Sequence, residues 1–597
     1  MAKKNLPIKY TSRDFATIRQ DLVDYAKRYY PDSYRDYSEA GFGSLMVDTV
    51  AYVGDILSFY LDYQANESLL SSAVEYDNVI RLAAQLGYKF QPNPTSYGLV
   101  SLYILAPANA ASNAPDTAYM PILRKGSSFA AQNGGVFTLT EDVNFADSNN
   151  EIVVGRVNPT TGTPTYYAVK TLGQVMSGEM VQTSFIIDAH KRFMSLDIPG
   201  SNTAEIVSVF DTEGHEYFEV DYLSQDVVYR EIPNRITNID SVRSILKPVA
   251  VPRRFISKNT TSGMTIQFGY GSENERKNDS VVDPASVVLQ QHARNYVTDE
   301  TFDPSNLNQT DKFGIVPSNT TLFVTSRQNN AANTNVAAGN LTTIVNPVIV
   351  FNDIASLGSA KMNQVISSLE VNNDKVIAGD ISYPTSTEIK TRALDYFATQ
   401  NRIVTKNDYI SYVYSMPEKF GGIKRAAVIK DTDSFKRNLN LYVLSEARDG
   451  TLVATNSVIK QNLKTWLNKN RMIHDTIDIL DGNIINIGVD FEIVIDKSAN
   501  KFDILDTATN KLVELFQILP DIGESFAISS VYSTLNNIAG VVDTVDVVVA
   551  NKTGTLYSNI SYDVPGNLSA DGRFVEFPED LIWEIKFPLS DIRGTIR

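Results

Sequence analysis

The stretch GSLMVDTVAYVGDILSFYLD, residues 43–62, decides the fold of the N-terminal region, and it contains nearly all of the most apolar helix candidate in the sequence, Leu45–Tyr63. Its apolar side chains recur at spacings of three and four, which places them on one stripe of an α-helix: Met46, Val50, Val53, Leu57 and Tyr60. Three aspartates interrupt the stretch, and a bilayer-spanning helix would not carry three carboxylates at that depth. We therefore predict an amphipathic helix and expect no contact with a membrane.

The aspartates of this helix, Asp48, Asp55 and Asp62, are seven residues apart. Heptad spacing places them on one stripe, about 10.5 Å apart along the helix axis, which is too far for one metal ion to bind two of them. The stripe is either the solvated face of the helix or an acidic seam that meets a basic partner helix. Gly54, in mid-helix, costs about 1 kcal/mol relative to alanine, and the close approach of another helix would explain it.

Two further helices are predicted in the first ninety residues. One is capped by Ser12 and stopped by Pro31, and the other passes through Val79 and ends at Gly87, a residue suited to a left-handed cap. Tyrosines cluster in this region. Tyrosine suits protein interfaces, and ordinary half-buried helix faces explain the cluster equally well.

The pattern of apolar and turn-forming residues changes twice after the helices. Between residues 97 and 371, short apolar alternations are separated by Gly, Asn, Pro and Ser clusters, which indicates β-rich structure. Asn133-Gly-Gly135 predicts a hairpin turn. The Asn- and Thr-rich residues 329–343 predict a loop or a locally irregular segment. The last third alternates helix and strand. It contains two capping boxes, Thr385-x-x-Glu388 and Thr405-x-x-Asp408, and a strict period-two strand over residues 485–495.

These patterns predict an α+β multidomain protein with a helical N-terminal region, a β-rich middle and α+β C-terminal modules. We place a helical, bundle-forming region at 1–95 and a β-rich domain at 96–250. A second β-rich domain with loops follows at 251–375. An α+β module at 376–480 and a C-terminal α+β module at 481–597 complete the chain.

The sequence offers no clear catalytic, cofactor or metal site. Cysteine is absent and none of the four histidines stands four residues from another, so neither a thiol nucleophile nor a helical zinc pair is possible. Gly269-Tyr-Gly271 begins like a phosphate-binding loop but lacks the third glycine, which favours a turn between strands. We expect no enzymatic activity, no cofactor and no metal.

The charge of the chain argues against nucleic-acid binding. The formal net charge is -16, and binding to a phosphate backbone requires clustered lysine and arginine. The nearest basic cluster, Arg253, Arg254 and Lys258, is too short for that purpose and is interpreted as a solvated turn.

Several stretches, in order along the chain, resemble the J-like baseplate wedge proteins of contractile-tail phages. In the N-terminal region they are residues 43–62, Ala65-Asn-Glu-Ser-Leu-Leu70 and Leu86-Gly-Tyr88. The later ones are Gly126 with Phe129, Phe137–Thr140, Phe268-Gly-Tyr-Gly271, Tyr383–Arg392, Arg402–Tyr409 and Ile423–Val428. The length and the N-terminal helices are similar to the large inner-ring wedge subunit of myovirus baseplates. One departure is Ala378–Ser382, where many members of the family have a glycine-rich turn.

The resemblance implies a structural role in the virion tail. Subunits of this family dimerise, bundle their helices with a further wedge protein and close an inner ring around the tail hub. Other wedge subunits and a sheath-initiator subunit dock on that ring, which relays the change that triggers sheath contraction. Assembly would take place in the host cytoplasm. The joins near 92–98 and 370–384, rich in proline and glycine, are candidate hinges.

The N-terminal helices are the implied bundling element, so we predict a partner interface on the second helix. It comprises Asp48, Tyr52, Asp55, Phe59, Asp62, Asn66 and Glu67. Two alternatives are a tail-associated glycan-degrading enzyme and a peripheral receptor-binding protein. The sequence contains no nucleophile motif, which argues against the enzyme. It contains no repeats, which argues against the receptor-binding protein.

Overall fold

The computed structural model describes residues 14–30, 41–90, 95–109, 114–200, 202–225, 227–233, 244–260, 263–272, 313–329, 331, 333–354, 357–431, 438–472, 474–496 and 500–597. The chain divides into two compact units. The first comprises Met1–Phe90 and Tyr383–Asn401, and the second comprises Gln91–Ser382 and Arg402–Arg597. The five-domain division made from the sequence stays a prediction.

The helices of the described ranges are concentrated at the N-terminus and in the last third of the chain. They are α1 (Phe15–Tyr29), α2 (Phe42–Glu67), α3 (Tyr76–Gln85), α4 (Ser359–Ser367), α5 (Ser386–Thr399), α6 (Lys406–Tyr414), α7 (Ser457–Asn468), α8 (Lys501–Leu515), α9 (Ile528–Asn536) and α10 (Pro588–Asp591). The first unit contains α1, α2, α3 and α5.

The strands of the described ranges all lie in the second unit, and the middle of the chain provides most of them. They begin with β1 (Tyr97–Pro107), β2 (Ile122–Leu123), β3 (Ser128–Ala131), β4 (Val136–Leu139), β5 (Val143–Asn144), β6 (Glu151–Val157), β7 (Pro164–Ser177), β8 (Glu179–Ile187), β9 (Ser195–Ile198) and β10 (Thr203–Asp211). They continue with β11 (Glu216–Glu219), β12 (Val227–Pro233), β13 (Ser244–Ala250), β14 (Arg254–Thr260), β15 (Gly263–Phe268), β16 (Thr320–Gln328), β17 (Leu341–Asn346), β18 (Ile349–Val350) and β19 (Glu370–Asn372).

The C-terminal strands are β20 (Arg425–Lys430), β21 (Asn438–Glu446), β22 (Leu452–Ala454), β23 (Thr476–Asp481), β24 (Asn483–Ile495), β25 (Phe526–Ala527), β26 (Val541–Lys552), β27 (Phe574–Val575), β28 (Leu581–Glu584) and β29 (Ile592–Ile596). Together with the helices, these strands confirm the predicted fold class: a helical N-terminal region, a β-rich middle and mixed C-terminal elements.

The core of the first unit is formed by α3 and α5, which are distant in sequence. Val79, Ile80 and Ala83 of α3 are buried against Ile389 and Ala393 of α5. The capping box predicted at Thr385 and Glu388 is present and starts α5. The predicted third helix ends as expected, with Gly87 at φ 89°. Ser12, the predicted cap of the first helix, lies outside the described residues.

The first large sheet of the second unit follows the order β17-β3-β4-β7-β1-β19. Strand β6 pairs with the N-terminal half of β7, residues 164–170. The hairpin predicted at Asn133–Gly135 joins β3 to β4, with Phe129 opposite Phe137 and Gly134 at φ 84°. Both phenylalanines are fully buried in the sheet's core, which α4 helps to cover.

The second large sheet, β8-β16-β10-β11-β14-β15-β9, explains the glycine motif at 269–271. A Cβ atom placed on Gly269 would lie 2.0 Å from the carbonyl oxygen of Phe313. The backbone of Gly271 also pairs with the chain beside Phe313: its N–H donates to the Gly314 carbonyl at 3.0 Å. The motif is therefore a close approach of two backbone segments, and the interpretation as a turn between strands stays a prediction.

Two buried arginines hold the β-rich part together. Arg254 is fully buried and donates to the carbonyls of Leu223, at 2.7 Å, and Val251, at 3.0 Å. The interpretation of Arg253 and Arg254 as a solvated turn is therefore wrong, because β14 is an interior strand of its sheet. Arg327, also fully buried, pairs with Glu205 at 2.9 Å and with the Thr95 hydroxyl at 2.7 Å.

The C-terminal modules are two four-stranded sheets with helices packed on them. In the first, β21 pairs with β20, β22 and β23, and in the second, β24 pairs with β26, β28 and β29. The strand predicted from strict alternation is β24, whose alternate side chains between Ile485 and Ile493 are at most 3% exposed. The capping box at Thr405 and Asp408 starts α6, as predicted.

We predict that Gly269→Ala destabilises the second unit strongly, because the new methyl group would overlap the backbone at Phe313. Overpacking of this kind typically costs roughly 1–3 kcal/mol or more. The melting temperature of the purified chain should fall accordingly. Gly134→Ala is the control: Gly134 has positive φ but open space around it, so only the conformational cost of about 1 kcal/mol applies. Equal losses in the two variants would contradict the steric argument.

Candidate partner interface

Helix α2 directs its small and polar side chains toward α1. Before its last turn, the buried members of α2 are Ser44, Ala51 and Ser58, whereas α1 has no buried residue at all. Gly54 lies on the same side, and a Cβ atom there would stand 3.3 Å from Cδ1 of Ile18. The close approach that Gly54 suggested is thus made by α1 of the same chain.

The apolar stripe of α2 is exposed as a consequence. Ten large apolar residues of this helix are between 36% and 77% exposed: Phe42, Leu45, Met46, Val50, Tyr52, Val53, Leu57, Phe59, Tyr60 and Leu61. We call this set the α2 apolar surface. Isolated apolar residues are normal on protein surfaces, but a contiguous patch of this kind marks an interaction site.

The predicted aspartate stripe of α2 contacts α1 at Asp48. All three aspartates are partly buried, and Asp48 forms an ion pair with Arg19 of α1, with 2.6 Å between the carboxylate oxygen and Nε. Ser44 accepts a second hydrogen bond from the same guanidinium at 3.3 Å. At Asp48, therefore, the acidic seam meets a basic residue of this chain. Whether Asp55 and Asp62 contact a partner protein stays a prediction.

The other predicted interface residues lie in two environments. Tyr52 and Phe59 belong to the α2 apolar surface, and the ring of Phe59 stacks on Tyr63 at a centroid distance of 6.2 Å. Asn66 donates from its amide to the carbonyl of Asp62 at 2.8 Å. Tyr52 and Phe59 are thus available to a partner, while the amide of Asn66 is engaged within the helix.

Glu67 connects the end of α2 to the start of α3. Its carboxylate accepts hydrogen bonds from the backbone N–H of Val74 at 2.7 Å and from the amide of Asn78 at 2.8 Å. Burial alone would raise the pKa of Glu67, but these hydrogen bonds and the charge of Lys390 outweigh it and lower the pKa. The negative charge is therefore stabilised where it satisfies the turn before α3.

The length and composition of α2 would also allow it to cross a membrane. It has 26 residues, and 17% of its most apolar 18-residue stretch is buried in the structure. Among the described residues it is the one helix that is both long enough and apolar enough to cross a membrane.

Two buried carboxyl groups in the second unit have strongly raised pKa values. Burial raises the pKa of Glu584 to about 7, although its oxygens accept from the N–H of Leu452 at 2.7 Å and the amide of Asn486 at 3.2 Å. Burial likewise raises the pKa of Asp380 to about 6, and the nearby carboxylate of Glu446 adds to that effect.

Both carboxyl groups accept hydrogen bonds that connect separate segments of the chain. Glu584 joins β28 to the start of β22, and Asp380 accepts from the N–H of Thr334 at 2.8 Å. Asn335, which is fully buried, donates to the carbonyls of Asp380 and Glu446 at 2.6 and 2.8 Å. Sequence analysis missed this network because its members are distant in sequence. Within the described ranges, no group of three or more His, Asp and Glu side chains is placed to hold a metal ion.

Comparison with known families finds one match, which covers the helices just described. Residues 14–85 match the model of the N-terminal domain of bacteriophage baseplate proteins. This match supports the interpretation that the chain is a baseplate protein. It spans α1, α2 and α3, so the α2 apolar surface lies entirely within the matched region. No curated protein matches the sequence.

Two solved baseplate assemblies contain chains with weak structural similarity. A chain of the anti-feeding prophage (AFP) baseplate, determined by cryo-electron microscopy, is 10% identical, with coverage of 97% of this chain and 99% of that chain and a TM-score of 0.24. A chain of the TssK-TssF-TssG baseplate subcomplex of the type VI secretion system is 8% identical, with coverage of 73% and 95% and a TM-score of 0.22. TM-scores this low support no inference about fold or function.

We predict that Glu67→Ala destabilises the first unit, because it leaves buried donors before α3 without an acceptor. The cost should be roughly 1–3 kcal/mol, measured as faster amide hydrogen exchange throughout α3. Glu75→Ala is the matched control. Glu75 is exposed and its carboxylate accepts from the Tyr63 hydroxyl, so its removal should have a smaller effect. Unchanged exchange in Glu67→Ala would show that the turn does not depend on this carboxylate.

We also predict that Glu584 makes the second unit less stable as pH rises toward neutrality. The pKa of Glu584 is raised in the folded state from 4.5 to about 7, so the folded state binds the proton more tightly. Lowering the pH from about 7.5 to about 5 should therefore raise the melting temperature, and the free-energy difference is on the order of 3 kcal/mol. Asp380 acts in the same direction.

The test compares Glu584→Gln with the parent chain over this pH range. Glutamine keeps a carbonyl for the N–H of Leu452 but does not titrate, so the variant should show a smaller rise in melting temperature on acidification. Glu576→Gln, at an exposed position, should behave like the parent. A parallel pH profile for all three chains would refute the assignment to Glu584.

Proposed function

We propose that this chain is a structural subunit of a bacteriophage tail baseplate wedge. In this role it dimerises, joins neighbouring wedges into the inner ring around the tail hub, and relays the conformational change that triggers sheath contraction. The baseplate-domain match supports a non-enzymatic, structural role in the virion tail. The wedge position, the dimer and the relay are the proposal.

The observation that carries the proposal is the α2 apolar surface. A helix that is stable by itself in water buries its apolar stripe and exposes its polar face. Here the arrangement is reversed: Ser44, Ala51 and Ser58 are buried and the apolar stripe is exposed. Covering that stripe with apolar side chains of another molecule removes a large hydrophobic area from water, which gives the helices a reason to bundle.

The partner that fits this surface is another pair of helices. The exposed positions Met46, Val50, Val53, Leu57 and Tyr60 follow spacings of three and four, the pattern that packs against a helix. Asp48, Asp55 and Asp62 are only partly buried and would carry carboxylates into a lipid bilayer, which is unfavourable. We therefore assign the surface to α1 and α2 of a second copy, together with a helix of a further wedge protein.

The same assembly would use the second unit for ring contacts with other wedge subunits and the sheath initiator. The chain passes between the two units at residues 90/91, 382/383 and 401/402. Two of these passages fall at or beside the predicted hinges near 92–98 and 370–384. Hinges at such places would let two copies occupy unequal environments. Assembly in the host cytoplasm belongs to the same proposal.

We predict that Leu57→Asp weakens dimerisation without unfolding the chain. Leu57 is exposed, so a carboxylate there costs little in the monomer but would be buried in a helical bundle. The dissociation constant from sedimentation equilibrium should rise at least about 10-fold, equivalent to about 1.4 kcal/mol. Ile186→Asp, on β8 and even more exposed, is the control and should dimerise like the parent.

The outcome also distinguishes a protein partner from a membrane. If the parent is monomeric and floats with phosphatidylglycerol vesicles, and Leu57→Asp abolishes flotation, the bundle proposal is wrong and α2 is a membrane-binding helix. A parent dimer that Leu57→Asp leaves intact would place the dimer contact elsewhere.

A further inference from the structure

Strand β6, Glu151-Ile-Val-Val-Gly-Arg-Val157, is exposed along its whole length. It pairs with β7 on one side, and its other edge pairs with no strand of the described chain. All seven residues are exposed, and four of them are valine or isoleucine. Soluble proteins rarely leave such an edge open, because its unpaired backbone N–H and C=O groups accept another strand.

Two of the usual devices that protect a sheet edge, proline and lysine, are missing from this strand, although it contains a bulge. Within the strand there is no proline and no lysine, and the two charged residues, Glu151 and Arg156, have opposite signs and stand near its two ends. Neither forms an ion pair within the described chain; Arg156 lies over the ring of Tyr166, 6.0 Å from its centroid. An edge with β-branched residues in its centre and unpaired opposite charges toward its ends is complementary to itself.

A bulge at Gly155 determines which residues of β6 lie on the same face of the sheet. Glu151 is opposite Lys170 of β7, Val153 is opposite Ala168, and after the shift Arg156 is opposite Tyr166. Because Gly155 is the extra residue, Glu151, Val153 and Arg156 share one face of the sheet. Gly155 also lies close to β7: a Cβ atom there would be 3.2 Å from the backbone nitrogen of Ala168.

We propose that β6 pairs antiparallel with β6 of a second copy of this chain, about a two-fold axis through Val153. In this register Val153 faces Val153, and Ile152 faces Val154. The two bulges then bring Glu151 of each copy next to Arg156 of the other. The four strands β7, β6, β6 and β7 form one continuous sheet across the two copies, held by main-chain hydrogen bonds as in other strand additions.

This surface is separate from the one on which the proposed function rests. The helical contact uses α1 and α2 in the first unit, and β6 belongs to the second unit. The strand contact therefore has its own test. The experiment is done in full-length chains that carry Leu57→Asp, so that a helical dimer, weakened at least about 10-fold, contributes less to the result.

The absence of cysteine from the sequence permits a direct test by disulfide cross-linking. Residues directly opposite each other in an antiparallel pair have Cα atoms about 4.5–5.5 Å apart, within the range that a disulfide spans. Val153→Cys should form a covalent dimer under mild oxidation. Leu172→Cys is the control: Leu172 is exposed on β7 of the same sheet but is not on the free edge, and it should remain uncross-linked.

The register is tested by mixing and by charge exchange. Ile152→Cys mixed with Val154→Cys should give a linked heterodimer, whereas neither variant alone should link efficiently. Glu151→Arg or Arg156→Glu alone should raise the dissociation constant about 10-fold, because each creates two like-charge contacts. The double exchange, Glu151→Arg with Arg156→Glu, should restore it to within about 3-fold of the parent.

Two results would overturn the proposal. The first is cross-linking of Val153→Cys no faster than that of Leu172→Cys, whether the chain is monomeric or associates through another surface. The second is a double charge exchange that binds no better than the single variants, which would exclude this register. Both results leave the helical contact untouched, since that contact is judged by Leu57→Asp against the parent.

Discussion

The packing of α1 on α2 determines what the N-terminal region can do. A mid-helix glycine and a row of small or polar side chains allow the two helices to approach closely, and the Arg19–Asp48 ion pair fixes their register. Because that side of α2 is committed to α1, the apolar stripe has no partner within the described first unit. An ion pair with both side chains about a third exposed contributes little stability. The ion pair therefore adds little to the stability of the two packed helices, and burial of the exposed apolar stripe on association would add more.

Local signals in the sequence predicted a large part of the fold. The capping boxes at Thr385 and Thr405 start α5 and α6 because each supplies two hydrogen bonds within four residues. Strand β24 follows from alternation alone, since one face is buried throughout. These signals can be recognised in the sequence because the residues that form each of them lie within one turn of helix or one strand.

The features that sequence analysis missed depend on residues far apart in the chain. Burial of Arg254 follows from the position of β14 inside a sheet whose other strands come from residues 179–328. Asn335 lies in a stretch interpreted as a loop, yet it is a buried junction between the segments at Asp380 and Glu446. At the interface, the spacing of Asp48, Asp55 and Asp62 gave the stripe correctly. That α1 would meet this stripe at Asp48 could not be inferred, because helix pairing is a tertiary property.

The pairing of α3 with α5 also has a consequence for biosynthesis. Tyr76 donates its hydroxyl proton to the carbonyl of Pro384, 308 positions later, and the buried face of α3 is completed by Ile389 and Ala393. The ribosome must therefore make more than half of the chain before α3 meets its neighbour. At elongation rates of about 5–20 residues per second that interval is roughly 15–60 s. During it the first helices emerge with apolar surface uncovered, a condition that favours aggregation of a nascent chain.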